Sequence, residues 1–394
     1  MSAPPVGAVA LPAVPGPVAH RPLRIAHVTD FYLPRCGGIE LQVRDLAARQ
    51  VAAGHRVTVL TSTPRRPGQD GGTVGAGVVV HRLAEAGTMP GMRAPVRAVL
   101  RQALRTGRFD VVHVHGAPFS PLAFTAAALA AELPTVFTMH SILGPAEAGF
   151  QLFRGVWRWP TWPAVWTAVS EVAAAPLRGM LGDTPVHVLP NGVDVAAWQV
   201  TPTPRETRDV VAVAVMRLTS RKRSLPLLRI LRDARAQLPA EVRLRLLVLG
   251  DGPMRPRMQR WLTRHQLHSE VVLAGVRPRA DVRRALARAD MFLAPAVLES
   301  FGIAALEARC AGVPVLARAQ SGTVEFVAHG REGLLARDDT QMAAQLAALA
   351  TDPARRAAIA AHNRSVAPPL DWDTVLTRTH QLYALADTTV AVPA

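Results

Sequence analysis

The sequence predicts an α/β fold of two parallel-sheet domains, and three observations lead to this fold class. Short apolar runs of strand length alternate with segments of helical periodicity along most of the chain, which is typical of parallel sheets covered by helices on both faces. The length of 394 residues suits about two domains. A polar segment at 199–209 contains two prolines and no apolar period, which indicates a linker.

Each domain has its own series of predicted strands. The first series is Leu23–Thr29, Val57–Thr61, Val78–Leu83, Val111–His115, Thr135–His140, Val165–Val169 and Val186–Leu189. The second series is Val210–Val215, Leu244–Leu249, Val271–Ala274, Met291–Ala294 and Pro314–Ala317. Helical segments lie between most of these strands, so both sheets should be doubly wound.

These series set the expected domain boundaries. Residues 1–20 carry no Lys or Arg and are interrupted by prolines, which predicts a disordered tail and not a signal peptide. A Rossmann-like domain should follow at 21–198, and a second one at 199–370. A helix within 371–394 should pack back on the first domain. Ligands bind beyond the carboxyl ends of strands in such sheets, so we expect a site in a central cleft that both domains face.

Composition and charge narrow the classes of partner. Lys and Arg number 45 against 29 for Asp and Glu, a net charge of +16, which suits a phosphorylated ligand, an anionic membrane surface or nucleic acid. No zinc finger or aromatic RNA-binding motif is found, so we expect no nucleic acid partner. Cys36 and Cys310 are far apart without a CxxC motif, which excludes a zinc knuckle and suits the cytoplasm. No apolar stretch reaches the length of about 18 residues that a membrane span needs.

Two glutamates eight residues apart lie in the segment ESFGIAALEARCAGVPVLA. Glu299 follows a predicted strand, and Glu307 falls inside the helix that begins near Gly302. The free amides of a helix N-terminus favour anionic or hydroxyl-rich ligands. Glu307 also has apolar neighbours, a setting that seldom tolerates an unpaired carboxylate. Together the two carboxylates predict a site for adjacent sugar hydroxyls.

Two cations follow the first strand of the second domain in the segment MRLTSRKR. Arg217 and Lys222 are five residues apart, a spacing that suits a clamp on a diphosphate whose bridging oxygen gains negative charge when its bond breaks. Lys222 is the only lysine of the chain. Because an ammonium differs from a guanidinium in shape and hydration, the lysine at this position predicts a need for a compact point charge.

Glycines follow predicted strands at two further places. Gly37 and Gly38 precede a helix in the segment RCGGIE, where their backbone amides can approach a phosphate or a sugar closely. Gly250 and Gly252 lie in the turn of LLVLGDGP, which is also ordinary chemistry for a strand-to-helix turn. A GxGxxG dinucleotide fingerprint is not present, which counts against a dehydrogenase.

Candidate acceptor and catalytic groups lie in the first domain. His140 ends a predicted strand, where a neutral imidazole can bond a hydroxyl or assist proton movement. His113 and His115 alternate on one strand and should share one face; His115 is the better candidate for the cleft, and His113 for the core. Trp157 and Trp159 belong to a tryptophan-rich run that can stack on a sugar or pack against the sheet.

An amphipathic helix is predicted for residues 92–108, with Arg93, Arg97, Arg101 and Arg105 at intervals of four. Such a basic stripe can contact anionic lipid. Basic stripes are more often solvated faces, so both interpretations stay open.

These motifs resemble those of the retaining glycosyltransferases of family 4, whose two-domain fold is called GT-B, over residues 23 to about 370. The resemblance implies an acceptor-binding first domain and a donor-binding second domain. It implies that Glu299 and the amides of Phe301 and Gly302 contact the transferred sugar, and that Glu307 contacts the nucleotide ribose. The sequence departs from the family pattern where Arg223 and Ser321 replace expected glycines.

The resemblance also implies the reaction. A sugar would pass from a UDP- or GDP-linked donor to a hydroxyl of a sugar, a lipid-linked acceptor or a small molecule, with retention of configuration and without a metal or other cofactor. His140, Glu299, Arg217 and Lys222 would carry the catalysis. Gly37, Gly38, Gly250 and Gly252 would line the donor site.

The alternatives are a nucleotide-sugar epimerase or phosphorylase of the same fold, and a non-catalytic basic protein that binds membrane or nucleic acid. The expected location is the cytoplasm. Whether the protein also contacts the inner face of the membrane stays open.

Overall fold

The structure is a computed structural model that describes residues 21–35, 37–65, 77–83, 94–118, 120–129, 133–144, 161–204 and 209–390. The chain forms two compact units. The first comprises Met1–Gly192 and Trp372–Ala394, and the second comprises Val193–Asp371. The division therefore falls before the expected boundary at 198, and the last helix belongs to the first unit.

The first unit contains a seven-stranded parallel sheet in the order β3-β2-β1-β4-β5-β6-β7. Its strands are β1 Arg24–Thr29, β2 Arg56–Thr61, β3 Val79–Arg82, β4 Val111–Gly116, β5 Thr135–Met139, β6 Val165–Ala168 and β7 Val186–Val188. Its helices are α1 Gly38–Ala52, α2 Ala94–Thr106, α3 Pro121–Leu129, α4 Glu171–Leu181 and, at the end of the chain, α12 Trp372–Val390. One core cluster joins β1 and α1 to α12 through Ile25, Leu46 and Leu382, so the C-terminal helix completes the cover of this sheet.

The second unit contains a six-stranded parallel sheet in the order β10-β9-β8-β11-β12-β13. Its strands are β8 Val210–Val215, β9 Leu244–Leu249, β10 Val271–Gly275, β11 Met291–Ala294, β12 Val315–Arg318 and β13 Gly333–Ala336. Its helices are α5 Val195–Trp198, α6 Ser224–Arg235, α7 Arg255–Arg264, α8 Arg279–Leu286, α9 Ile303–Cys310, α10 Asp339–Thr351 and α11 Pro353–Ser365.

The two parallel sheets confirm the predicted fold class. At the centre of the second sheet, β8 (VVAVAV) and β11 (MFLA) are apolar and largely buried, as is typical of parallel strands that are covered on both faces. In the first sheet, β4 and β5 are buried although they contain two histidines and two threonines. Strand β13 was missing from the prediction. Its four residues, GLLA, begin with a glycine and follow Gly330 closely, so the apolar run is too short to predict a strand by itself, and the strand is defined by its pairing with β12.

The turn after β9 brings two backbone segments unusually close together. Gly250 and Gly252 have φ values of +142° and +157°, a region that essentially only glycine adopts. A Cβ atom at Gly250 would lie 1.9 Å from the carbonyl oxygen of Met216, and one at Gly252 would lie 2.5 Å from that of Leu218. The amide of Leu218 donates to the carbonyl of Asp251 at 2.9 Å. The glycines therefore let this turn hold the backbone on both sides of Arg217.

We expect the Gly250→Ala variant to unfold at a clearly lower temperature than the Gly330→Ala variant. Both glycines have positive φ, and nothing lies within 4 Å of a Cβ at Gly330, so each change carries a backbone penalty of about 1–2 kcal/mol. Only at Gly250 does the new methyl group overlap a backbone atom, which adds a further ~1–3 kcal/mol. Thermal unfolding of the two variants measures the difference, and equal midpoints would contradict the proposed close approach.

Candidate active site

The predicted donor residues follow the two strands at the topological switch point of the second sheet. Strand order runs outward in opposite directions from β8 and β11, and ligands of doubly wound sheets bind beyond the carboxyl ends of strands at such a point. Arg217 and Lys222 follow β8, whereas Glu299 follows β11. The fold therefore brings residues that are far apart in sequence to one edge of one unit.

Lys222 and Glu299 are in direct contact across this switch point. The ammonium Nζ lies 2.5 Å from Oε2 of Glu299, and both side chains are partly exposed. An ammonium has three N–H groups, so two remain for another ligand after one is given to Glu299. The sequence predicted both residues in one site but not their pairing.

Arg217 supplies a second cation at the same edge. Its residue is exposed, and no hydrogen bond or ion pair joins its side chain to any other residue that the structure describes. The backbone beside it is fixed by the turn at Gly250 and by a bond from the amide of Met254 to Leu218 O at 3.0 Å. A fixed backbone with a solvated guanidinium suits a group that binds a phosphate only when the ligand arrives.

A second close approach of backbone segments shapes the loop after Glu299. The amide of Gly322 donates to the carbonyl of Glu299 at 2.7 Å, and a Cβ at Gly322 would lie 2.1 Å from Ser300 O. Gly302 is the N-cap of α9 with φ +95°, and a Cβ there would lie 2.7 Å from Cγ2 of Thr323. Phe301 is buried. The loop therefore has little freedom, and the amides that precede α9 have a fixed direction.

Glu307 is buried on α9 and is 8% exposed. Nη2 of Arg279, the first residue of α8, lies 3.9 Å from its Oε1. A carboxylate has two oxygen atoms and can accept several hydrogen bonds. Arg279 was not predicted, because nothing in its local sequence distinguishes it from the many other arginines.

Both departures from the glycine pattern have a structural explanation. Arg223 adopts the left-handed conformation with φ +57°, the region that favours glycine, and its guanidinium bonds Asp339 at 2.5 Å. Ser321 has φ −100°, which any residue adopts, and its hydroxyl donates to Arg318 O at 2.7 Å. Arg223 therefore adopts the left-handed backbone conformation that glycine would adopt, and the backbone at Ser321 requires no glycine.

The glycine pair of the first unit lies at the start of α1, as the sequence predicted. Gly37 is the N-cap and Gly38 the first residue of the helix. A Cβ at Gly37 would lie 2.5 Å from Oε2 of Glu40, and Arg35 Nε lies 3.1 Å from Oε1 of the same carboxylate. Glu40 thus folds back over the first turn of the helix, in the manner of a capping box. Because the overlapping atom is the end of a flexible side chain and Gly37 has an extended φ of −166°, the local structure does not by itself require glycine at this position.

His140 directly follows β5 and is bonded to His115 at the end of β4. His115 Nδ1 and His140 Nε2 are 2.9 Å apart, and His115 Nε2 lies 2.8 Å from His27 Nδ1. Burial lowers the pKa of His140 to about 3 and lowers the pKa of His115 well below its usual value. Both rings are therefore neutral at physiological pH, and both nitrogens of His115 already have protein partners.

His27, His113 and His115 form a buried cluster. One ring nitrogen of each residue lies within 4.8 Å of the corresponding atoms of the other two. His113 and His115 stack with ring centroids 4.2 Å apart, which confirms that they share one face of β4. Three neutral imidazoles are a ligand set that zinc accepts. Each nitrogen of these rings is also hydrogen-bonded to the protein, so the cluster is complete without an ion.

Two predicted features lie partly or wholly outside the described residues. Trp157 and Trp159 are outside them. Of the basic stripe at 92–108, the structure describes α2, where Arg97, Arg101 and Arg105 are exposed and Leu100 and Leu104 are buried. None of the helices in the described part of the chain is long and apolar enough to cross a membrane.

Known proteins resemble this chain in both sequence and structure. A component of the phosphatidylinositol N-acetylglucosaminyltransferase of Arabidopsis thaliana is 28% identical over 314 residues, or 77% of this chain and 69% of that protein. Glycogen synthase of Mycobacterium tuberculosis is 29% identical over 404 residues, or 92% of this chain and 95% of that protein. The solved structure of Anabaena Alr3699/HepE with UDP and glucose has a TM-score of 0.71 at 22% identity, covering 92% of this chain and 99% of that one; this likeness shows a shared fold.

The family matches divide as the fold does. Residues 36–197 match Glycosyltransferase Family 4, and residues 200–366 match Glycosyl transferases group 1. Because these matches together cover most of the chain and agree with its two parallel-sheet units, the protein belongs to the family 4 type of glycosyltransferases and has the GT-B fold.

Proposed function

We propose that this glycosyltransferase moves a sugar from a UDP- or GDP-linked donor to an acceptor hydroxyl, with retention of configuration and without a metal ion. The observation that carries the proposal is the contact between Lys222 and Glu299 at the switch point of the second sheet, with Arg217 exposed five residues before Lys222 in the loop after β8. Lys222, which can bind a phosphate, therefore lies next to Glu299, which can accept from a sugar hydroxyl. The likeness to a structure that holds UDP and glucose supports a nucleotide-sugar donor.

The leaving group determines what the cations do. The bond between the anomeric carbon and the diphosphate oxygen breaks, and its electron pair goes to that oxygen. Arg217 and Lys222 stabilise the developing negative charge. The acceptor oxygen then attacks from the face that the diphosphate leaves, and its proton passes to the departing diphosphate oxygen. Configuration is retained without a protein nucleophile. Two cations at one diphosphate supply the charge that a metal ion would otherwise supply.

The remaining donor contacts follow from hydrogen-bonding capacity. Glu299 and the amides of Phe301 and Gly302 bond the transferred sugar, and Glu307 accepts from the ribose hydroxyls. His140 is neutral and bonds a sugar hydroxyl as an uncharged partner. Gly250 and Gly252 serve this site by holding the backbone beside Arg217.

We further propose that the enzyme works in the cytoplasm and contacts the inner face of the membrane through α2. Arg97, Arg101 and Arg105 form an exposed cationic face, and Val99 is 50% exposed beside them. Helices with a basic face and exposed apolar side chains bind anionic lipid surfaces. The name of the Arabidopsis relative makes a lipid-linked acceptor the first to test among sugars, lipids and small molecules.

A matching nucleotide should stabilise the protein against heat. UDP, GDP and ADP, each with and without its sugar, are compared by thermal shift in the presence of EDTA. A ligand at about a hundred times its dissociation constant adds ~2.7 kcal/mol to the free energy of unfolding, and EDTA should not reduce the effect. If no nucleotide raises the midpoint, the proposed donor class is wrong. If the effect disappears in EDTA, the metal-free reaction is wrong.

The Lys222→Arg variant should lose most of its turnover while remaining folded. The guanidinium keeps the charge but is larger and differently hydrated, so it cannot occupy the place that the ammonium takes against Glu299. We expect kcat to fall by roughly 10²-fold or more, the usual loss when one stabilising group at a developing oxyanion is removed.

The matched control is Arg223→Lys, a conservative exchange of cations at the adjacent residue, whose partner is Asp339. It should leave turnover within a few-fold of the wild type, since a partly exposed ion pair contributes only about 0–1 kcal/mol. Steady-state kinetics and circular dichroism of both variants make the comparison. Full activity in Lys222→Arg would show that charge alone suffices.

Replacing the three arginines Arg97, Arg101 and Arg105 by glutamine should weaken binding to vesicles of phosphatidylcholine with anionic phosphatidylglycerol. Each cation near such a surface contributes about 1 kcal/mol. The control replaces Arg257, Arg260 and Arg264 of α7, three exposed arginines of the other unit, and thereby removes the same charge. Cosedimentation measures both, and equal losses would indicate that net charge and not α2 binds the surface.

A further inference from the structure

Lys222 lies in a short backbone turn between β8 and α6. The turn comprises residues 220–223, and the amide of Arg223 closes it by donating to Ser220 O at 3.0 Å. Helix α6 begins directly afterwards, and Arg223 is its N-cap but makes no capping bond with its side chain. The position of the turn therefore depends on contacts other than a helix cap at Arg223.

Thr219, the residue before this turn, uses all three of its polar groups within the loop. Its amide donates to Arg217 O at 2.8 Å, and its hydroxyl accepts from the amide of Lys222 at 3.3 Å. Its carbonyl accepts from the hydroxyl of Ser224 at 3.0 Å, and Ser224 is fully buried. Thr219 is thus bonded to the backbone of both candidate cations and to the first residue of α6.

The backbone on the other side of Thr219 is anchored to the turn after β9. Leu218 is buried, its amide donates to Asp251 O at 2.9 Å, and its carbonyl accepts from the amide of Met254 at 3.0 Å. The glycines of that turn permit this close approach. A fixed part of the backbone therefore leads directly into Thr219, and the hydroxyl of Thr219 extends the constraint to Lys222.

The ammonium of Lys222 has a defined place because the residue is held at both ends. A lysine side chain is a flexible stem of four carbons. Its Nζ lies 2.5 Å from Oε2 of Glu299, and its backbone amide is bonded to the hydroxyl of Thr219. Because a displacement of about 1 Å at a reacting site can cost roughly 10²-fold in rate, the backbone contact matters as well as the ion pair.

We propose that Thr219 is a positioning residue of the donor site, whose hydroxyl holds Lys222 where its ammonium can stabilise the departing diphosphate. The inference rests on the proposed function for the identity of that leaving group. Thr219 acts through Lys222 and touches no substrate. A threonine hydroxyl that accepts from the amide three residues later also stabilises ordinary turns, so the experiments must separate positioning from stability.

The contact can be observed without any substrate, because Lys222 is the only lysine of the chain. Protein labelled with ¹⁵N-lysine shows one backbone amide signal, and the exchange of this amide with solvent reports whether it is protected. Thr219→Val keeps the shape of the side chain but removes the acceptor, so exchange should become roughly tenfold faster. Thr219→Ser keeps the hydroxyl and should preserve the protection. Unchanged exchange in a folded Thr219→Val protein would overturn the proposal.

The matched control is Thr351→Val in the same unit. The hydroxyl of Thr351 donates to Ala347 O and Ala348 O of its own helix, α10, so its loss should change neither the Lys222 signal nor turnover. Equal acceleration of amide exchange in this variant would assign the effect to general loosening of the unit and not to Thr219. Thermal unfolding of each variant shows whether it is folded, and Thr219→Ala replaces Thr219→Val if the valine variant is not.

Turnover provides the second measurement. Thr219→Val should lower kcat roughly tenfold and leave the donor KM within about threefold, because the charge that Lys222 stabilises develops in the transition state. Thr219→Ser should restore most of the loss. Equal losses in the serine and valine variants would show that the hydroxyl does not position Lys222.

A double variant tests whether Thr219 acts through Lys222. In the Lys222→Arg background the ammonium is gone, so adding Thr219→Val should cost less than about twofold. Losses that multiply, to roughly 10³-fold in total, would show that the two residues act independently and would overturn the proposal. If the wild type transfers no sugar but Thr219→Val accelerates exchange of the Lys222 amide, the proposed function fails and the contact that positions Lys222 stands.

Discussion

The ion pair between Lys222 and Glu299 is the interaction on which the candidate site of the second unit depends. It joins the segments that follow β8 and β11, and each segment is itself held by a backbone contact that tolerates only glycine, at Gly250 and at Gly322. A charged pair at a sheet edge has too little energy to order two loops by itself. The glycine contacts order the backbone, and the ion pair then fixes where the two side chains lie.

Much of this arrangement follows from local sequence. Parallel strands buried on both faces leave a clear apolar signal, and the residues after each strand then lie at one sheet edge without further information. Strand β13 left no such signal, because its four residues depend on pairing with β12. Contacts between side chains distant in sequence, such as Arg279 with Glu307, were equally invisible, since in a chain this rich in arginine the residue type carries little information.

Residues 223 and 321 show the limit of inference from a motif. The motif specifies a residue type, whereas the fold requires a backbone conformation. At position 223 the left-handed conformation is present without glycine, and the ion pair of Arg223 with Asp339 offsets part of its cost. At position 321 the extended backbone requires no glycine, and the hydroxyl of Ser321 bonds Arg318 O instead. Only dihedral angles distinguish a tolerated departure from a lost function.

The candidate residues of the two units differ in their physical chemistry. The second unit leaves Arg217 exposed and Lys222 partly exposed to solvent, where a full charge costs little free energy. The first unit buries four histidines, and burial lowers the pKa of each ring, so this cluster is held together by hydrogen bonds between neutral groups and not by charge.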